Sequence, residues 1–516
     1  MTPAGGAACV TLGLVALVLT AQAAFPLHAG PTRGLTQAQA LARAYDLVYD
    51  ADFAGAEAEL TRACGPAPAQ ACEVIGVAAQ WWRIYFDLDN RALDRAFMAR
   101  LDTVIARGEQ WVAREAERSE AWFYLGAAYG VRVQYHAQRF EFLAAARDGK
   151  RIKNALETAL ELDPGLHDAN AGVGMYQYYA DVAPTVLKVL RWFLGLPGGD
   201  KARGLEQMRR AREMGLLLRA EATYQLHLVD LWYENKPDEA LALLAELRAR
   251  YPHNPLFLLN AAQVQEVYRK DYPAALALYR ALVDGARSGA LHEPVMAETW
   301  GRLGAAAQLD TLAESDRAIE ELRVVIERRP PAPYGAVSQA QLDLGRASDR
   351  LGWRDQAVAA YRAAVSSAPA DDPRHIRRAA QEGLSHPPDR AAADAARLSL
   401  EGWRAFESGS LADAATRLDS AVQLRPDDGV HRYRRGRVYA ARQDRARAQL
   451  DFERALQVRP SPPPPFVAAS YLELGTLLEA AGNRAHATAM YEAVARVRGA
   501  SPETRDLAQR ALARMR

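Results

Sequence analysis

The sequence predicts an all-α solenoid built from repeated helical hairpins, and three observations carry that expectation. From Ala395 to Pro462 one pattern is written twice, 34 residues apart: Gly402 is answered by Gly436, Ala414 by Ala448, Ala421 by Ala455 and Pro426 by Pro460. Related spacings return along most of the chain from Gln37 onward. The length, 516 residues, would suggest three or more globular domains, but a repeat array grows along one axis and needs no such division.

The spacing has a physical cause. In the second copy Gly436 and Ala448 are small where the two helices of a hairpin cross closely, Tyr439 and Phe452 fill the space beside the crossing, Ala455 follows, and Pro460 stops the second helix. These six residues stand where the tetratricopeptide (TPR) motif has its Gly, Tyr, Ala, Phe, Ala and Pro, so the chain resembles a TPR protein. The resemblance implies a TPR-type α-α superhelix of about ten to eleven helix-turn-helix units, two of them carrying inserted helical segments. One unit cannot bury its apolar face alone, so neighbours must stack.

Taken in order, residues 1–29 read as a signal peptide. Ala4 to Phe25 carries no charge, Val10 to Leu19 is an apolar core, and Ala21-Gln22-Ala23 is a small-residue cleavage signal, with cleavage after Ala23 or nearby. No Lys or Arg stands near Met1, so an uncleaved anchor is the alternative. The expected location is therefore exported and periplasmic. Residues 37–118 hold the first helical repeats, beginning with Phe53, Ala56, Leu60 and Ala63 at motif spacing. Cys64 and Cys72 bracket a Pro/Gly-rich turn there and are expected to form a disulfide in an exported chain.

Residues 119–220 hold two interrupted units. Trp122, Leu125, Gly126 and Tyr129 open the first, but Leu156, Ala159 and Pro164 arrive late, which marks an insert at 131–149. The second, from His167 with Gly174 at its crossing, is broken at 181–200 by an apolar helical run that closes on Gly198-Gly199-Asp200, with Asp200 as helix N-cap. Regular units follow over 221–371, the last with Leu344, Gly345, Ala357, Tyr361, Ala364 and Pro369. Residues 372–394 read as a polar linker or partial helix, 395–501 as the C-terminal units, and 502–516 as a capping helix.

Function is less legible. Lys plus Arg number 64 against 63 Asp plus Glu, a net charge of +1, so no long-range field draws nucleic acid. There is no HExxH, no G-x-S-x-G setting and no zinc, haem or redox spacing among 3 Cys. No catalytic residue, metal ligand or cofactor is expected, and an enzyme built on the basic segment from Arg132 to Lys153 is the weakest reading. The family implies that certain positions of each first helix line a concave groove. Applied here, these are Tyr49, Tyr178, Tyr179, Trp232, Tyr233 and Tyr268, with Gln225 and Asn260 as amide partners, while the last three units carry Glu407, Ala441 and Ala480 instead. Arg132, His136 and Arg139 in the first insert form a second candidate cluster, suited to carboxylate or phosphate. Both sets point to a scaffold binding a protein or peptide segment, with an envelope glycan or glycolipid as the alternative.

Several segments further resemble a family of exported bacterial TPR proteins: Cys64 to Cys72 followed by Trp81-Trp82, Ala121-Trp-Phe-Tyr-Leu-Gly126, Ala146-Arg-Asp-Gly-Lys150, Tyr178-Tyr-Ala-Asp-Val-Ala-Pro184, Leu190-Arg-Trp-Phe-Leu-Gly-Leu-Pro-Gly-Gly-Asp200 and Leu398-Ser-Leu-Glu-Gly-Trp403. That resemblance implies a fold and a compartment, with no catalytic residues.

Overall fold

The computed structural model describes residues 32–182 and 198–515. The signal segment and most of the apolar run at 181–200 lie outside the described residues. Helical hairpins run in order: α1 (Ala38–Tyr49) with α2 (Phe53–Ala63), α3 (Ala69–Phe86) with α4 (Asp94–Arg114), α5 (Ser119–Gln138) with α6 (Phe142–Leu162), and α7 (Ala169–Val182) with α8 (Lys201–Met214). Next come α9 (Arg219–Trp232) with α10 (Pro237–Arg250), α11 (Pro255–Gln263) with α12 (Tyr272–Ser288), α13 (Pro294–Thr311) with α14 (Ser315–Arg328), and α15 (Ala336–Arg350) with α16 (Arg354–Ser367). After α17 (Ile376–Ser385) follow α18 (Arg390–Glu407) with α19 (Leu411–Leu424), α20 (Gly429–Ala441) with α21 (Arg445–Gln457), α22 (Pro464–Ala480) with α23 (Arg484–Arg496), and α24 (Pro502–Met515). Among the described residues there is no strand, only an isolated bridge between Thr32 and Arg118. No described helix is long and apolar enough to cross a membrane.

The hairpins close where the small residues stand. A methyl group placed on Gly436 would lie 2.7 Å from the Phe452 ring, and one on Gly475 2.6 Å from the Tyr491 ring, so these crossings admit nothing larger than hydrogen. Second helices start at Asx caps: Asp52, Asp271, Asp444 and Asn483 each accept a backbone N–H from the first turn. Core tyrosines place their hydroxyls on carboxylates of the same hairpin, as Tyr279 does on Glu266 at 2.7 Å and Tyr491 on Glu479 at 2.7 Å, or of the preceding one, as Tyr439 does on Asp419 at 2.6 Å, so burial leaves no orphan donor there.

The insert expected at 131–149 has no separate body. Its residues lengthen both arms of one hairpin, α5 and α6, which turn at Arg139 to Glu141. Asp200 caps α8 by accepting the Arg203 N–H at 3.0 Å. Within 372–394, α17 fits beside α16 because Gly383 admits the Tyr361 ring, and Arg354 donates to the carbonyls of Gly383 and Leu384 at the end of α17. The sulfurs of Cys64 and Cys72 lie 2.07 Å apart, with Cα atoms 5.9 Å apart, at the turn between α2 and α3.

The superhelix winds tightly enough for one turn to rest on the next. Asp46, at the end of α1, accepts from Tyr251 Oη at 2.5 Å, and Asn254 Nδ2 donates to the Tyr49 carbonyl at 2.6 Å. Asp87 accepts the Tyr334 N–H at 2.9 Å, and Asp89 pairs with Arg374 at 2.6 Å. Further on, buried Arg434 donates to the Ala313 carbonyl at 2.8 Å and Arg404 grips Asp316. These contacts span 88 to 285 residues of sequence and are what turns a row of hairpins into one body.

Candidate functional site

Close winding fills the inside of the N-terminal half with the chain's own rings. Tyr49 of α1 packs 4.7 Å from Trp82 of α3, 5.5 Å from Tyr251 and 6.4 Å from Phe257 of α11. Tyr224 of α9 meets Trp82 edge-on at 5.3 Å, and Phe86 of α3 lies 5.7 Å from Trp300 of α13. Edge-to-face, tilted and stacked rings at these separations are a packed core. Where an open groove was expected between these first helices, α1 and α3 occupy it.

At the centre of that core is Glu221, which no motif in the sequence singles out. Its carboxylate is buried and accepts from Tyr49 Oη at 2.5 Å, Gln134 Nε2 at 2.8 Å, Gln225 Nε2 at 2.9 Å and Tyr45 Oη at 3.4 Å. Gln134 in turn accepts from Trp81 Nε1 at 2.7 Å. Every donor is neutral and three helices, α1, α5 and α9, supply them, so this carboxylate is a polar pin through the core. Burial, then the nearby Glu221 charge, holds the Tyr45 and Tyr49 hydroxyls well above the usual phenol value. No local sequence signal finds it, because its donors lie up to 176 residues away.

The predicted residues separate into three groups. Gln225 is one of the donors to Glu221 and is spent inside, while partly exposed Asn260 accepts from Tyr224 Oη at 3.2 Å and donates to Gln263 at 3.4 Å. Arg132 forks onto Asp148 at 2.6 and 2.9 Å with a further bond to Asp102, Arg139 forks onto Asp94 at 2.7 and 2.9 Å and bonds the Leu88 carbonyl, and His136 Nδ1 lies 2.5 Å from Glu141. These three basic side chains brace the lengthened hairpin instead of facing an anion from solution.

Tyr178, Tyr179 and Tyr233 do come together, ring centres 5.5 to 5.8 Å apart. Tyr178 is fully buried and donates to Glu234, whose partner is Lys201 at 2.8 Å, which draws the Glu234 carboxyl below its ordinary value. Tyr179 is half-buried, while Tyr233 and its neighbour Trp232 are 48% and 53% exposed. Tyr268 sits apart, half-buried in the π-helical turn Val264–Arg269 that prolongs α11. What remains at the surface is a short aromatic ledge, Tyr233 against the half-buried Tyr179 ring with Trp232 the preceding residue, on a buried, hydrogen-bonded base.

An open recess of about 490 Å³ lies farther along, between Trp353, Leu400 and Ala405. Its arginines are already committed, Arg404 to Asp316 and Arg417 to Glu401 and Asp413, so it offers a shaped surface without free charge.

The fold defines the chain as an all-α helical-repeat solenoid with a packed aromatic interior. The tetratricopeptide repeat model matches residues 338–371, the hairpin of α15 and α16, so that hairpin is a tetratricopeptide repeat. A thermophilic TPR protein of Thermus thermophilus matches at 20% identity over 42% of this chain and 99% of its own, with a TM-score of 0.22. A tetratricopeptide repeat protein of Parabacteroides merdae matches at 16% identity over 56% and 98%, TM-score 0.24. The TPR2AB domain of yeast Sti1, solved in a complex with pHSP90, matches at 17% identity over 58% and 96%, TM-score 0.20. No curated protein sequence matches the chain.

Proposed function

We propose that this chain is a non-catalytic scaffold of the cell envelope that holds a protein or peptide segment against the ledge of Tyr179, Trp232 and Tyr233. The observation that carries the reading is the exposure of Trp232 and Tyr233 side by side. Leaving a Trp and a Tyr in water contributes nothing to folding, whereas exposed aromatics, of which Tyr233 is held from behind by Tyr178 and Tyr179, are among the residues that dominate partner binding. TPR architecture supports it, since these repeats form protein-interaction scaffolds. Export follows from the uncharged, apolar N-terminal segment, and an oxidising compartment suits a Cys64–Cys72 disulfide. A glycan ligand has less support, because Gln225 is spent on Glu221 and Asn260 is engaged by Tyr224 and Gln263.

The test is crosslinking in the native host followed by purification of the tagged chain, with W232A/Y233A alongside wild type. Recovery of one protein by wild type and its loss in the folded variant supports the reading. Equal capture by both removes the ledge, and enrichment of envelope saccharide or lipid in place of protein transfers the case to the glycan reading.

A further inference from the structure

The winding of the superhelix also brings together three metal-ligating side chains that are remote in sequence. Asp50 stands at the C-terminal end of α1, His253 in the turn between α10 and α11, and His292 in the loop between α12 and α13. One ligand atom of each lies within 4.8 Å of the other two. The turns carrying them are tied: His253 N–H donates to Asp50 Oδ1 at 3.0 Å, His292 N–H to the His253 carbonyl at 2.9 Å, and Asn254 to the Tyr49 carbonyl. Between side chains, His253 Nδ1 is 2.6 Å from Asp50 Oδ2 and the two imidazoles are 5.3 Å apart between centres.

We propose that Asp50, His253 and His292 bind one zinc ion, which clamps the first hairpin to the turns before α11 and α13. Two imidazole nitrogens and one carboxylate oxygen suit zinc and its first-row neighbours, while calcium and magnesium ask for an all-oxygen shell. A tetrahedral ion with bonds of roughly 2.0–2.2 Å sets its ligand atoms about 3.3–3.6 Å apart. Reaching that from the present arrangement takes side-chain rotations of an ångström or so, which a half-exposed His253 and a partly exposed His292 permit. Zinc takes the place of the proton between His253 Nδ1 and Asp50 Oδ2, and the imidazole stays neutral by carrying its proton on Nε2. Three protein ligands leave the fourth position to water. The ligands span more than 200 residues of chain, so the ion closes the seam at which one turn of the superhelix rests on the next.

The experiment uses the full chain purified without a polyhistidine tag, titrated with zinc chloride after chelation. Wild type should bind one zinc per chain, and amide exchange in Asp46 to Phe53 should slow when zinc is present. H253A/H292A should bind at least about tenfold more weakly and show no such protection, and D50N, which keeps the side-chain shape, should behave likewise. Cobalt substituted for zinc should show the visible bands of four-coordinate nitrogen and oxygen ligation. Absence of saturable zinc binding, binding undiminished in H253A/H292A, or binding that leaves exchange at the seam unchanged would each overturn the proposal.

Discussion

Replacing Glu221 with Ala probes the pin through the aromatic interior. The substitution leaves the Tyr49 hydroxyl and the Gln134 and Gln225 amides without their acceptor. Each buried donor so orphaned costs about 1–2 kcal/mol, or about 3–6 kcal/mol for the three. Removing a buried carboxylate recovers part of its desolvation cost, and the net loss is about 2–4 kcal/mol. Glu221→Gln separates hydrogen bonding from packing. Its carbonyl still accepts and the tyrosine hydroxyls can turn to accept from its amide, so the expected loss is below about 1 kcal/mol. Because a repeat array opens locally, the assay is hydrogen exchange over α1 together with urea unfolding followed by the fluorescence of Trp81 and Trp82. In E221A, α1 should open first, with its protection lowered by the full amount. An E221A protein as stable as wild type, or an E221Q protein as damaged as E221A, would show that the carboxylate holds nothing together.

Other perturbations follow from the same interior. His227 is buried, which lowers its pKa to about 4; the unfolded chain therefore takes up a proton first, near 6.5, and stability declines as pH falls below that value until about 4. The loss at pH 5 is on the order of 2 kcal/mol, and urea midpoints at pH 7 and 5 should differ less in a folded His227→Gln variant. Gly436→Val drives a side chain into the Phe452 ring, and the C-terminal hairpins should lose about 1–3 kcal/mol in thermal unfolding despite the better helix propensity of Val. Cys64→Ser with Cys72→Ser should cost roughly 2–3 kcal/mol in non-reducing buffer, the loop spanning only 8 positions, and nothing further in dithiothreitol. Identical midpoints in both buffers for wild type would mean that the pair contributes no stability.

What the sequence by itself determined is local. Small residues at Gly436 and Gly475, the Asx caps and the prolines fix hairpins and their crossings, because each acts over one or two helical turns and is written within 34 residues. Asp200 as a helix cap was legible for the same reason. The tertiary structure decided what faces solvent. Tyr178 shares the register of Trp232 in its unit, yet the first is buried and the second exposed, since that depends on where the next superhelical turn lands. Arg132 and Arg139 look like an anion receptor in one dimension, but Asp148, Asp94 and Asp102 arrive from neighbouring arms to neutralise them. Glu221 and the Asp50, His253 and His292 cluster were invisible for a matching reason: their members lie up to 176 residues apart in the first case and more than 200 in the second, and only the pitch of the superhelix brings them together.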